Sequence, residues 1–68
     1  MRLSARNQLR GTVKSVTLGN VMAEVVVDVG DQEIASAITR ASAERLGLAE
    51  GDAVVAVIKA TEVLLGKE

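Results

Sequence analysis

The chain has 68 residues, with eight Lys and Arg, nine Asp and Glu and no His, for a formal net charge of −1. It contains no Cys and no aromatic residue; this excludes disulfide staples, thiolate or imidazole metal sites, and the ring-stacking platforms of single-stranded nucleic-acid binders. A domain this small buries only about 60% of its unfolded surface, so a 49% hydrophobic content points to support from other subunits.

The first segment is basic. Residues 1–23 carry Arg2, Arg6, Arg10 and Lys14 and no acid, whereas all nine acids lie in residues 24–68. A basic start on an acidic chain suggests an anion partner near the N-terminus; the plain alternative is a solvated strand face. From Gln8 to Leu18, Gly11, Thr12, Val13, Val16 and Thr17 favour strand over helix. Leu9, Gly11 and Val13 share one face, but Val16 and Leu18 are apolar in the opposite phase. A bulge near Lys14-Ser15 in one long, bent strand accounts for the flip.

Gly19-Asn20 is a turn. Val21 to Val29 alternates cleanly, with Val21, Ala23, Val25, Val27 and Val29 on one face and Met22, Glu24, Val26 and Asp28 on the other. Gly30-Asp31-Gln32 makes a hairpin loop into a third strand, Glu33 to Thr39. Thr39 then caps a short helix, docked by Ala43, Leu46 and Leu48, and Gly47 ends it as in a Schellman motif. After the Glu50-Gly51-Asp52 turn, Ala53 to Ile58 is apolar throughout and is expected to be buried on both faces. Lys59-Ala60-Thr61 breaks that run, and Glu62 to Leu65 is expected to form a short fifth strand. The expected fold is all-β with one short helix, in β-β-β-α-β-β order. It is a single domain over residues 1–68, matching a five-stranded OB-type barrel.

No catalytic set is present. The four Ser residues have no evident base, the acids are scattered, and the glycines sit at separate turns, so an enzyme is not expected. What remains is a set of hydrogen-bond donors: a hydroxyl at Ser4, a guanidinium at Arg6, an amide at Asn7, and an ammonium at Lys59 with a hydroxyl at Thr61. Each segment read separately is an ordinary polar terminus or strand end. No run approaches the length of a membrane helix and no signal-peptide pattern is evident, so a cytoplasmic location is expected.

Taken together, Ser4-Ala5-Arg6-Asn7-Gln8-Leu9-Arg10-Gly11, Asn20-Val21-Met22-Ala23-Glu24-Val25, Leu46-Gly47-Leu48-Ala49-Glu50-Gly51-Asp52 and Ile58-Lys59-Ala60-Thr61-Glu62-Val63 resemble the molbindins, small Mop-type molybdate-binding proteins with a TOBE-like OB domain. The resemblance spans essentially the whole chain. It implies molybdate or tungstate as bound ligand, no organic cofactor, and a role in storage or homeostasis. It also implies strand exchange within dimers and a hexamer built from three dimers. One oxyanion site would use Ser4, Ala5, Arg6 and Asn7 from one subunit with Lys59, Ala60 and Thr61 from a neighbour. Relatives often have Ser where this chain has Thr61, which keeps the hydroxyl. A second site would lie around Asn20, Val21, Met22 and Thr39. The implied partners are further copies of the chain and a small oxyanion, with no nucleic acid and no membrane.

Two other classes are set against this reading. The basic start would suit a nucleic-acid-binding OB-type or swapped-hairpin regulatory module, which the missing aromatics oppose. A structural assembly module with a vestigial site would oligomerise without binding anions.

Overall fold

The computed structural model describes every residue, Met1–Glu68. Four strands, β1 (Asn7–Leu18), β2 (Met22–Val29), β3 (Gln32–Thr39) and β4 (Ala53–Ile58), form one antiparallel sheet in the order β3-β2-β1-β4. A helix, α1 (Arg40–Leu46), links β3 to β4, and a 3₁₀ turn at Ala60–Glu62 follows β4. No helix is long and apolar enough to cross a membrane.

β1 is divided between two neighbours. Its first half, Asn7 to Thr12, pairs with β4; its second half, from Thr12 to Leu18, pairs with β2. The register shifts between Val13 and Ser15, so Lys14 is the extra residue of the expected bulge. Both Val13 and Val16 thereby face the core, although an odd spacing separates them. The Val13 N–H donates to the Asp52 carbonyl at 2.9 Å, and the Gly51 N–H to the Val13 carbonyl at 2.8 Å, so the loop before β4 continues the ladder at the bulge. Gly11 allows the close crossing there: a Cβ on it would lie 2.7 Å from Val27 Cγ1 and against the Asp28 carbonyl oxygen.

The core is small. Val13, Ala23, Val25, Val27 and Ala43 are buried, with Val16, Val29, Ile38, Leu48 and Val54 packed around the valines. The helix is bounded as its sequence directs. The Thr39 hydroxyl accepts from the Ser42 N–H at 3.1 Å, and Gly47 is left-handed at φ 63°. Leu48 N–H donates to Ala43 O and Gly47 N–H to Glu44 O, the paired bonds of a Schellman ending.

Three expectations are corrected. Leu46 does not dock the helix: it is exposed, because seven residues turn only Ala43 fully inward. β4 is not buried on both faces. It is an edge strand, with Val54, Ala56 and Ile58 half-buried and Ala53, Val55 and Val57 exposed. The fifth strand at Glu62 to Leu65 does not form within the chain. Val63 is extended, at φ −93° and ψ 118°, but the segment after the 3₁₀ turn pairs with neither free edge, and Leu64 and Leu65 are more than nine-tenths exposed. Within one chain the fold is therefore mostly β with one helix, and its sheet is open and four-stranded. The open side between β3 and β4 is a groove of about 1020 Å³, lined largely by apolar residues that include Val25, Val27, Ile34, Ile38 and Val54.

Candidate functional site

The β1–β4 ladder begins with Asn7 opposite Ile58. The residues just before Asn7 and just after Ile58 must therefore lie side by side at that end of the sheet. Ser4, Ala5, Lys59, Ala60 and Thr61 together line a cavity of about 270 Å³. The resemblance assigns Lys59 to Thr61 to a neighbouring subunit; in the single chain they lie beside the chain's own Ser4 and Ala5.

The chemistry of this cavity is dominated by donors. Lys59 is exposed and has no carboxylate partner, since the ion pairs are Lys14–Glu33 and Arg40–Glu44. Ser4 and Thr61 supply hydroxyls. The backbone hydrogen bonds outside the helix and strand ladders include none donated by Ser4, Ala5, Arg6 or Lys59. The carbonyls of Lys59 and Ala5, by contrast, are engaged. Lys59 O accepts from Glu62 N–H at 2.9 Å, and Ala5 O accepts from the Gln8 side-chain amide at 2.7 Å. Such a set offers N–H and O–H groups and one positive charge, which suits an anion that only accepts hydrogen bonds.

Not every expected residue lines the cavity. Arg6 lies at a bend next to it and is exposed. Asn7 is half-buried as the first residue of β1. Gln8 was not among the expected site residues; the signal for it is a donor side chain three positions after a polar bend, able to reach back to the bend's carbonyl.

Asn20, Val21, Met22 and Thr39 gather at the other end of β1, and all four are exposed. Met22 and Thr39 are opposite each other in the β2–β3 ladder. Arg40, also absent from the sequence expectation, ties this turn to the helix. Its backbone N–H donates to Val21 O at 2.7 Å and its guanidinium to Gly19 O at 3.3 Å. None of the four lines either cavity. No group of three or more His, Cys, Asp or Glu side chains is placed to hold a metal cation.

The TOBE domain model matches residues 3–65. Molybdenum-pterin-binding protein 3 of Clostridium pasteurianum is 47% identical over 66 residues, covering 96% of this chain and 97% of that protein. A molybdate binding protein from Sporomusa ovata superposes with a TM-score of 0.93 at 45% identity, over 98% of this chain and all of the other. The cytoplasmic molybdate-binding protein ModG, in a molybdate-bound form, superposes with a TM-score of 0.83 at 48% identity, over 88% of this chain and 43% of ModG.

Proposed function

This chain belongs to the TOBE-domain family, in its molybdenum-pterin-binding group, and from that membership we propose that it binds molybdate or tungstate reversibly, as an intracellular store, through Ser4, Ala5, Arg6, Asn7, Lys59, Ala60 and Thr61. The observation that carries this reading is the single cavity shared by Ser4, Ala5, Lys59, Ala60 and Thr61. Molybdate is a tetrahedral dianion without a proton near pH 7, so all four oxygens accept. Hydroxyls, backbone N–H groups and an unpaired ammonium satisfy it, and the charge-assisted bonds among them are the strong ones. Phosphate near neutral pH carries at least one proton, whose O–H must take an acceptor lone pair of the Ser4 or Thr61 hydroxyl or go unpaired, at a cost of about 1–3 kcal/mol when unpaired. Sulfate carries no proton and is rejected by size.

The site is completed by assembly. The exposed Val63 to Leu65 segment of one copy closes the β3–β4 groove of another as its missing strand, in a dimer with exchanged strands, and three dimers make the hexamer. A second oxyanion site forms around Asn20, Val21, Met22 and Thr39. The protein acts in the cytoplasm without catalysis and without an organic cofactor. A nucleic-acid-binding role is not favoured: there are no aromatics and the net charge is −1.

Calorimetric titration with molybdate, tungstate, sulfate and phosphate, with mass measured alongside, tests the proposal. Molybdate and tungstate are expected to bind well above the other two. Equal weak heats for all four would sink it.

A further inference from the structure

We propose that Gln8 is the positioning residue that biases the Ser4–Thr61 cavity toward unprotonated oxyanions, an assignment that rests on the oxyanion reading above. Gln8 is half-buried at the start of β1 and does not itself line the cavity. Its side-chain amide donates to the Ala5 carbonyl at 2.7 Å, the one side-chain hydrogen bond made to the Ser4–Asn7 segment.

That bond sets the orientation of a whole peptide unit. The Ala5 carbonyl and the Arg6 N–H belong to one planar peptide, and no peptide bond in the chain is cis. In a trans peptide the C=O and N–H point in opposite directions. Holding the carbonyl back toward Gln8 turns the Arg6 N–H away from β1, and that N–H has no backbone acceptor. The same bond engages one of the two lone pairs of the carbonyl that Ala5 brings to the cavity it lines. Gln8 thus leaves the bend one donor richer and with less acceptor capacity.

The consequence is chemical. An anion that carries a proton needs an acceptor; one without a proton needs only donors. With the Ala5 carbonyl released, the bend can accept the O–H of a protonated oxyanion, and the Arg6 N–H is no longer held for an unprotonated one. Gln8 acts on the ratio of the two kinds of ligand, not on affinity alone.

The test uses Gln8→Met, which keeps the length of the side chain without a donor, and Gln8→Ala, which removes it. Each variant and the parent are titrated with molybdate, and sulfate and phosphate are measured as competitors near pH 7. Molybdate and sulfate are expected to weaken together, by about tenfold, the worth of one hydrogen bond. Phosphate is expected to hold or tighten, so the molybdate-to-phosphate ratio falls by about tenfold or more in both variants. A common factor for all three anions marks a merely structural role and overturns the assignment, as does no change in any. A parent protein that takes up none of the three overturns the oxyanion reading itself, and the Gln8 assignment with it.

Discussion

Asn7 and Ile58 face each other across the antiparallel β1–β4 ladder. This pairing brings the two polar segments, remote in sequence, to one cavity. The bend at Ser4–Arg6 and the 3₁₀ turn at Ala60–Glu62 are the two continuations of one strand pair. The cavity is therefore as firm as the ladder beneath it.

Lys59 lines the cavity and Arg6 does not, so the two cations should contribute unequally. Lys59→Ala is expected to weaken molybdate binding by about tenfold to a hundredfold, the range for losing a hydrogen bond from a charged group. Arg6→Ala is expected to weaken it less. Calorimetry on both variants checks the order. Because both side chains are exposed, melting temperatures of the ligand-free proteins should stay close to the parent's.

Gly11→Ala should destabilise the fold. The added methyl meets the Asp28 carbonyl and lies 2.7 Å from Val27 Cγ1, and part of that obstacle is backbone. A loss of about 1–3 kcal/mol is expected for such overpacking, read as a lowered denaturation midpoint.

Thr39→Ala removes the oxygen that accepts from Ser42 N–H. The expected cost is about 1 kcal/mol, the usual worth of a helix N-cap, and Thr39→Ser should restore most of it. Thermal melts of the two variants separate this capping role from any loss of bound anion, which calorimetry reads independently.

The Lys14 ammonium pairs with Glu33 across the sheet, and that hydrogen bond, with the Glu33 charge, holds its pKa above the ordinary 10.5. A base with a raised folded pKa stabilises the fold fully below its unfolded pKa, and the contribution is lost as pH rises through the folded value. A small alkaline decline in melting temperature is therefore expected above about pH 10.5. It should be absent in Lys14→Gln. Both side chains are about half exposed, which keeps the effect minor and sensitive to salt.

Deleting residues 63–68 should leave the intrachain sheet intact, since none of them pairs in it. By the proposed assembly the deletion removes the strand that closes a neighbour's groove. Sedimentation should then report a smaller particle, while circular dichroism retains the β signal.

Local chemistry made much of the fold legible. The phase flip between Val13 and Val16 announced the bulge, Gly30 and Gly47 marked a turn and a helix end, and Thr39 announced its own cap. β4 and the C-terminal segment were not legible, because their burial depends on which strand lies beside them. An apolar run such as Ala53 to Ile58 reads the same at an edge as in the centre of a sheet. At the site, the donor residues stood out individually, but only strand register explains why Ser4 meets Lys59. Gln8 escaped notice because its role exists only once the bend brings the Ala5 carbonyl within reach.

The extra residue at Lys14 does more than bend a strand. It works like a frame correction in a text read two letters at a time. Upstream, Val13 faces inward at an odd number and the strand serves β4 and the anion cavity; downstream, Val16 faces inward at an even number and the strand serves β2 and the valine core. Each half keeps its own phase, so the residues leading into the cavity can change without re-phasing the hairpin that holds the domain together. Deleting Lys14 would merge the two frames into one, with Val13 and Val16 two positions apart and both still inward, so the loss would fall on the bend and twist where the strand passes from β4 to β2.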